Sequence, residues 1–120
     1  MKICPPPLIK MKMKESQLVK ACADYLTMRN ILWWRNNTGI LMKEYKGRSY
    51  PVRFGLKGSG DILAILPPYG KFLSIECKVN DNVQSEAQKE FEKQVRNAGG
   101  GYIIVRDVID LIDYFNSFGD

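Results

Sequence analysis

The chain has 120 residues, 45% hydrophobic and 26% charged, which predicts one globular domain around a single modest core. It contains no histidine, which excludes histidine-dependent nucleases, Ser-His-Asp and Cys-His triads, and nearly every zinc site. The net charge of +5 is uneven: residues 1–60 hold 12 Lys/Arg against 3 Asp/Glu, and residues 61–120 hold 6 against 10. A basic half preceding an acidic half suits a polyanionic partner, although basic surfaces are often only solvated. No apolar run approaches the ~20 residues of a membrane span, so no membrane partner is expected. The first residues carry charges and prolines but no apolar h-region, unlike a secretion signal. Cys4, Cys22 and Cys77 are odd in number and lack metal-type spacing, so free thiols in a reducing cytoplasm are expected.

Residues 1–14 read as a flexible basic arm. Pro5-Pro6-Pro7 favours polyproline II, and Lys2, Lys10, Lys12 and Lys14 could brush a phosphate backbone. A helix is predicted over Glu15 to Arg29, with Leu18, Cys22, Tyr25 and Leu26 as its apolar stripe. Glu15 extends that stripe at the helix N-terminus and could face a metal site; an acid there also simply complements the helix dipole. Ile31 to Trp34 should be a strand, with the two tryptophans on opposite faces, one for the core and one for an interface or a stacking contact. Arg35 to Gly39 follows, either a polar loop beside a site or an ordinary turn.

Met42 to Ser59 is basic and glycine-rich, with Lys43, Lys46, Arg48, Arg53 and Lys57 interleaved with Tyr45, Tyr50 and Phe54. That mixture suits a nucleic acid contact loop or hairpin; the plainer alternative is a solvated β-excursion. It leads into Gly58 to Val79, around which the chain is organised. Asp61 opens an apolar run, Ile62 to Leu66, of strand length. Pro67-Pro68-Tyr69-Gly70 breaks it, and a second strand runs from Phe72 to Val79. There the period of two sends Leu73, Ile75, Cys77 and Val79 to one face, and Ser74, Glu76 and Lys78 to the other.

Asp61, Glu76 and Lys78 make a kit for phosphodiester hydrolysis. Two carboxylates can hold a hard divalent cation, Mg²⁺ or Mn²⁺, and leave positions open for water and a phosphate oxygen. A lysine beside them could orient or deprotonate that water and offset transition-state charge. The plainer alternative makes Glu76 and Lys78 a cross-sheet ion pair and Asp61 a turn cap. Next, Ser85-Glu86-Ala87-Gln88 fits a capping box, opening a helix with Ala87/Gln88, Phe91, Val95 and Ala98 inward. Gln84 and Gln88 could both reach the site. Gly99 to Gly101 ends that helix, Tyr102 to Val105 is a strand, and Asp107 caps a last helix with stripe Val108, Leu111, Ile112 and Phe115. The expected fold is α/β, a mixed sheet of about four strands flanked by helices, with the middle helix crossing over between parallel strands.

The ordered set resembles the PD-(D/E)XK nuclease superfamily, and within it the VRR-NUC family in its small stand-alone form known from bacteriophages. The matching features are Glu15 early on a helix, Gly58-x-x-Asp61 entering a strand, Glu76-Cys77-Lys78, Gln84-Ser85-x-x-Gln88 on the next helix, and a Gly-Gly-Tyr strand at Gly100 to Val105. The resemblance implies a restriction-endonuclease-like fold with residues 15–120 as one nuclease domain. It implies that Asp61 and Glu76 bind the metal, with the Cys77 backbone carbonyl as a further ligand and Glu15 joining through the metal or its water. It implies that Lys78 positions or activates the attacking water, and that Gln88 sits in the site. The sequence departs from the superfamily pattern at Gly60, where a proline is expected; a glycine there predicts a looser strand entry.

The resemblance further implies a homodimer. Symmetric four-way junctions suit a two-fold dimer on geometric grounds. The expected activity is thus a Mg²⁺- or Mn²⁺-dependent, structure-selective endodeoxyribonuclease of the cytoplasm of a bacterium or infected host, favouring Holliday junctions and needing no small-molecule cofactor. Arg35, Asn37, Lys43, Lys46, Arg48, Arg53 and Lys57 are the expected DNA contacts, and Phe115 or Phe118 could serve the dimer. Two alternatives stay open: flap, nick or duplex specificity on the same fold, or a DNA-binding module without turnover.

Overall fold

The computed structural model describes residues 14–117. Residues 1–13 and Phe118 lie outside them, so the basic arm and the Phe118 interface expectation do too. The elements in order are α1 (Glu15–Met28), β1 (Leu32–Arg35), β2 (Gly39–Tyr45), β3 (Arg48–Phe54), β4 (Ile62–Leu66), β5 (Lys71–Cys77), α2 (Glu86–Asn97), β6 (Gly101–Val105) and α3 (Val108–Asn116). They form a mixed α/β domain whose main sheet has the order β1-β4-β5-β6. β1 and β5 each run antiparallel to β4, and β6 lies parallel to β5 after the α2 crossover. A four-stranded mixed sheet flanked by helices is the expected class, and it is compatible with a restriction-endonuclease-like arrangement.

Alternation along the strands builds two layers. Leu73, Ile75 and Cys77 face α1 and α3, joining Leu18, Leu26, Ile62, Val105 and Leu111 in the larger core. Each fully buried Leu or Ile contributes about 1.5–3 kcal/mol. The opposite face is covered over β5 and β6 by α2, whose Phe91 and Val95 pack on Phe72, Tyr102 and Ile104. Ala98, expected inward, is instead the exposed C-cap of α2. Helix starts follow side-chain chemistry: Ser85 Oγ accepts the Gln88 N–H at 3.2 Å, and Asp107 Oδ1 accepts the Ile109 N–H at 3.0 Å. Phe115 is buried between α1 and α3, where Tyr25 and Arg29 lie against its ring. It serves the core, which corrects the expectation of a role at a dimer surface.

β2 and β3 form a separate two-stranded sheet. Its tip, Lys46-Gly47, takes positive φ at both positions, the primed turn that matches strand twist. The hairpin is rooted at the mouth of the main sheet. Asn36 N–H donates to Asp61 O at 2.9 Å, and Asn36 Nδ2 donates to Ser59 Oγ and Gly60 O at 2.6 and 2.9 Å.

Candidate metal centre

β4 begins where β5 ends, so the antiparallel ladder stops at Ile62 opposite Ile75. Asp61 extends it with a side chain: Cys77 N–H donates to Asp61 Oδ2 at 2.7 Å. A strand residue directs its N–H and C=O to the same edge, so the Cys77 carbonyl leaves β5 on the Asp61 side. Glu76 lies one position back, on the α2 face of the strand, and is only 3% exposed. Glu15 reaches the same end of the sheet from the first turn of α1. One carboxylate oxygen from each of Glu15, Asp61 and Glu76 lies within 4.8 Å of the other two.

Three acids gathered this closely repel, and one is driven to hold its proton. Burial first, then the neighbouring Asp61 charge, push the Glu76 carboxyl up to about 8, with Glu15 adding to the rise and Lys78 opposing it. Lys78 Nζ stands 3.7 Å from Glu76 Oε1, both side chains largely buried. One ammonium thus faces three carboxylates. On the other side, Gln88 Nε2 donates to Glu76 Oε1 at 2.9 Å. The same amide accepts the Ser85 N–H at 2.8 Å through Oε1, so one side chain both caps α2 and holds Glu76. Gln84, also a candidate, instead donates to Glu92 and the Tyr102 hydroxyl, at 2.9 and 3.3 Å.

An oxygen-only set with surplus negative charge and a crowded protonated acid has the chemistry of a hard-cation site, and these residues fit Mg²⁺ or Mn²⁺. Glu15, Asp61 and Glu76 supply the oxygens, and Glu15 is the exposed member.

The approach to Asp61 is tight. Gly60 N–H donates to the buried Ser74 Oγ at 3.0 Å. A Cβ on Gly60 would fall 2.4 Å from Ser74 Oγ and 2.7 Å from Ile75 O, and one on Gly58 would fall 2.2 Å from Ala87 O. The entry is therefore closely packed, which corrects the expectation that a glycine loosens it. Proline at residue 60 would remove the N–H that Ser74 accepts.

Glu15, Asp61, Glu76, Lys78 and Gln88 thus converge, and Arg35 and Asn37 flank them at the end of β1, both exposed. Lys43, Lys46, Arg48 and Arg53 lie along the hairpin and Lys57 on the segment between it and Asp61. Asn36 and Ser74 were not singled out by the sequence. Ser74 is legible only as a small polar residue on the same strand face as Glu76, and Asn36 carries no signal within a polar turn.

Cys22 and Cys77 are free and buried beneath the site. The Cys77 thiol is held well above the ordinary thiol range by its contact with Cys22 and by burial. Among the described residues no helix is long and apolar enough to cross a membrane. No known protein-family model matches this chain, and no curated protein sequence matches it.

Proposed function

We propose that the protein is a divalent-metal-dependent endodeoxyribonuclease of the PD-(D/E)XK type, akin to small VRR-NUC enzymes. The observation that carries this reading is the convergence of three carboxylates within 4.8 Å, with Lys78 Nζ 3.7 Å from Glu76. Asp61 and Glu76 would hold Mg²⁺ or Mn²⁺, with the Cys77 carbonyl, on the same edge of β5, and Glu15 as the further oxygens available to it. A divalent ion held there would supply a water of lowered pKa and offset charge on the phosphate. Lys78 orients the attacking water and offsets charge on the phosphate oxygens. Gln88 fixes the Glu76 carboxylate from the α2 side, and Asp61 is fixed by the Cys77 N–H. Arg35, Asn37 and the hairpin cations bind the DNA backbone on either side of the scissile phosphate.

The substrate best suited to the reading is a four-way junction cut by a pair of copies. A two-fold pair needs an apolar surface, and the α2-side face of β1 offers one. Leu32 pairs with Ile65 and Trp34 with Leu63, so these four share a face, and Leu32 and Trp34 are 65% and 43% exposed. Buried free thiols suit a reducing cytoplasm.

The test is cleavage of a labelled panel: junction, flap, nicked duplex, linear duplex and single strand, each with Mg²⁺ or Mn²⁺. Paired symmetric cuts in the junction are expected. Cutting of flaps, nicks or duplex instead would keep the chemistry and discard the junction. Binding without cutting on every substrate would leave only a DNA-binding module.

A further inference from the structure

The β2–β3 hairpin presents one face whose aromatic rings have no part in the proposed metal chemistry. Directly paired residues lie on the same face of an antiparallel ladder, so Lys43 with Tyr50 and Tyr45 with Arg48 share a face near the tip. Closer to the root the same face carries Leu41 with Val52, and Phe54, whose ring lies over Gly39. Tyr45, Tyr50 and Phe54 are 63%, 43% and 42% exposed. Tyr45 and Tyr50 are diagonal neighbours across the ladder, about 7–8 Å apart by strand geometry. Lys46 Nζ stands 5.5 Å from the Tyr45 ring centroid.

Isolated two-stranded sheets are marginal in water, and one with an apolar, aromatic face gains from an occupant. Charge selects which. Residues 39–57 carry Lys43, Lys46, Arg48, Arg53 and Lys57 against Glu44 alone, so two hairpins placed face to face would repel. A polyanion with flat apolar groups meets both demands. In duplex the bases are stacked on one another and offer their edges, whereas this face offers rings and cations; unpaired bases expose their π-faces.

We infer that the Tyr45–Tyr50–Phe54 face of the hairpin is a stacking platform for unpaired nucleotides, with Lys43 and Arg48 holding the adjoining phosphates. The inference rests on the nuclease reading for its ligand, and it adds that the branched substrate presents unpaired nucleotides at or beside its branch point. The root of the hairpin is hydrogen-bonded to Asp61 through Asn36, so a strand lying along the platform runs toward the metal centre. Tethering there orders the unpaired segment before the phosphate enters the site.

The test is binding of a labelled single-stranded oligonucleotide and a blunt duplex of equal length, in EDTA so that no cutting occurs. It compares the wild-type protein with Tyr45→Ala/Tyr50→Ala and Tyr45→Phe/Tyr50→Phe. The alanine pair is expected to weaken single-strand binding at least about tenfold while changing duplex binding less than about twofold, and the phenylalanine pair to retain wild-type binding. Equal single-strand binding by the alanine pair would overturn the platform while duplex binding and metal-dependent cutting left the nuclease reading standing. Absence of all nucleic acid binding by the wild type would overturn both. A dimer turned into monomers by the alanine pair would reassign the face to a second copy and overturn the platform.

Discussion

Glu76 shows how a single side chain reports the state of the whole centre. Its folded pKa, about 8, lies above the ordinary glutamate value, so the group binds a proton in the folded chain that it has lost in the unfolded one near neutrality. The resulting stability is fully present below about pH 4.5 and is lost as pH rises through about 8. In EDTA, Glu76→Gln should therefore melt above the wild type at pH 8.5, and the difference should shrink toward pH 5. Calorimetry at the two pH values checks this; a difference that does not depend on pH would contradict it. Gly60 makes a second prediction, because its missing Cβ is occupied by Ser74 Oγ and the Ile75 carbonyl. Gly60→Ala should cost about 1–3 kcal/mol in chemical denaturation, and Gly60→Pro more, since it also removes the N–H donated to Ser74. The acid-x-base triplet was legible from period-two alternation because side chains on a strand have only two directions. The packing at Gly60 was not legible, since it depends on a strand fourteen residues away in the chain.

At the scale of elements, helix caps and the core strands follow local rules, and the sequence shows them. Ser85 and Asp107 cap α2 and α3 as their spacing predicts, and β4 spans Ile62–Leu66 as its apolar run does. The second role of Gln88 is a tertiary fact: its Oε1 closes the capping box while its Nε2 reaches Glu76. The two roles are separable by substitution. Gln88→Ala should lose both, costing about 1 kcal/mol of helix capping. Gln88→Glu keeps an acceptor for the Ser85 N–H but adds a fourth carboxylate beside Glu76, so stability should hold in acid while the metal-free protein weakens at alkaline pH. Equal alkaline stability of wild type and Gln88→Glu would show that Gln88 does not govern the Glu76 charge.

For the molecule as a whole, three bodies of surface divide the work. The end of the main sheet gathers the acids, the hairpin carries the cations, and the β1 face leaves Leu32 and Trp34 uncovered. The sequence showed the hairpin as a basic, aromatic excursion. Its place outside the main sheet was legible as well, since the four core strands were read without it; its strand bounds and register were not, because each of its faces mixes apolar and charged residues. Phe115 misled for a related reason: helical spacing marks an apolar stripe but not whether a neighbouring helix covers it. Trp34→Glu should therefore turn the proposed dimer into monomers in sedimentation without loss of the fold; an unchanged oligomeric state would remove this face from the proposed pairing.

The proposed function rests on the Glu15–Asp61–Glu76 cluster holding a divalent cation that works with Lys78 on a DNA phosphodiester. The most direct measurement pairs Mn²⁺ titration calorimetry with DNA cleavage for the wild type, Asp61→Asn and Lys78→Ala. The amide oxygen introduced by Asp61→Asn would still accept the Cys77 N–H, so folding is retained. Asp61→Asn is expected to lose both metal binding and cutting. Lys78→Ala should keep metal binding and cut about 10²–10⁴-fold more slowly. Metal binding or cleavage that survives Asp61→Asn would contradict the proposed function.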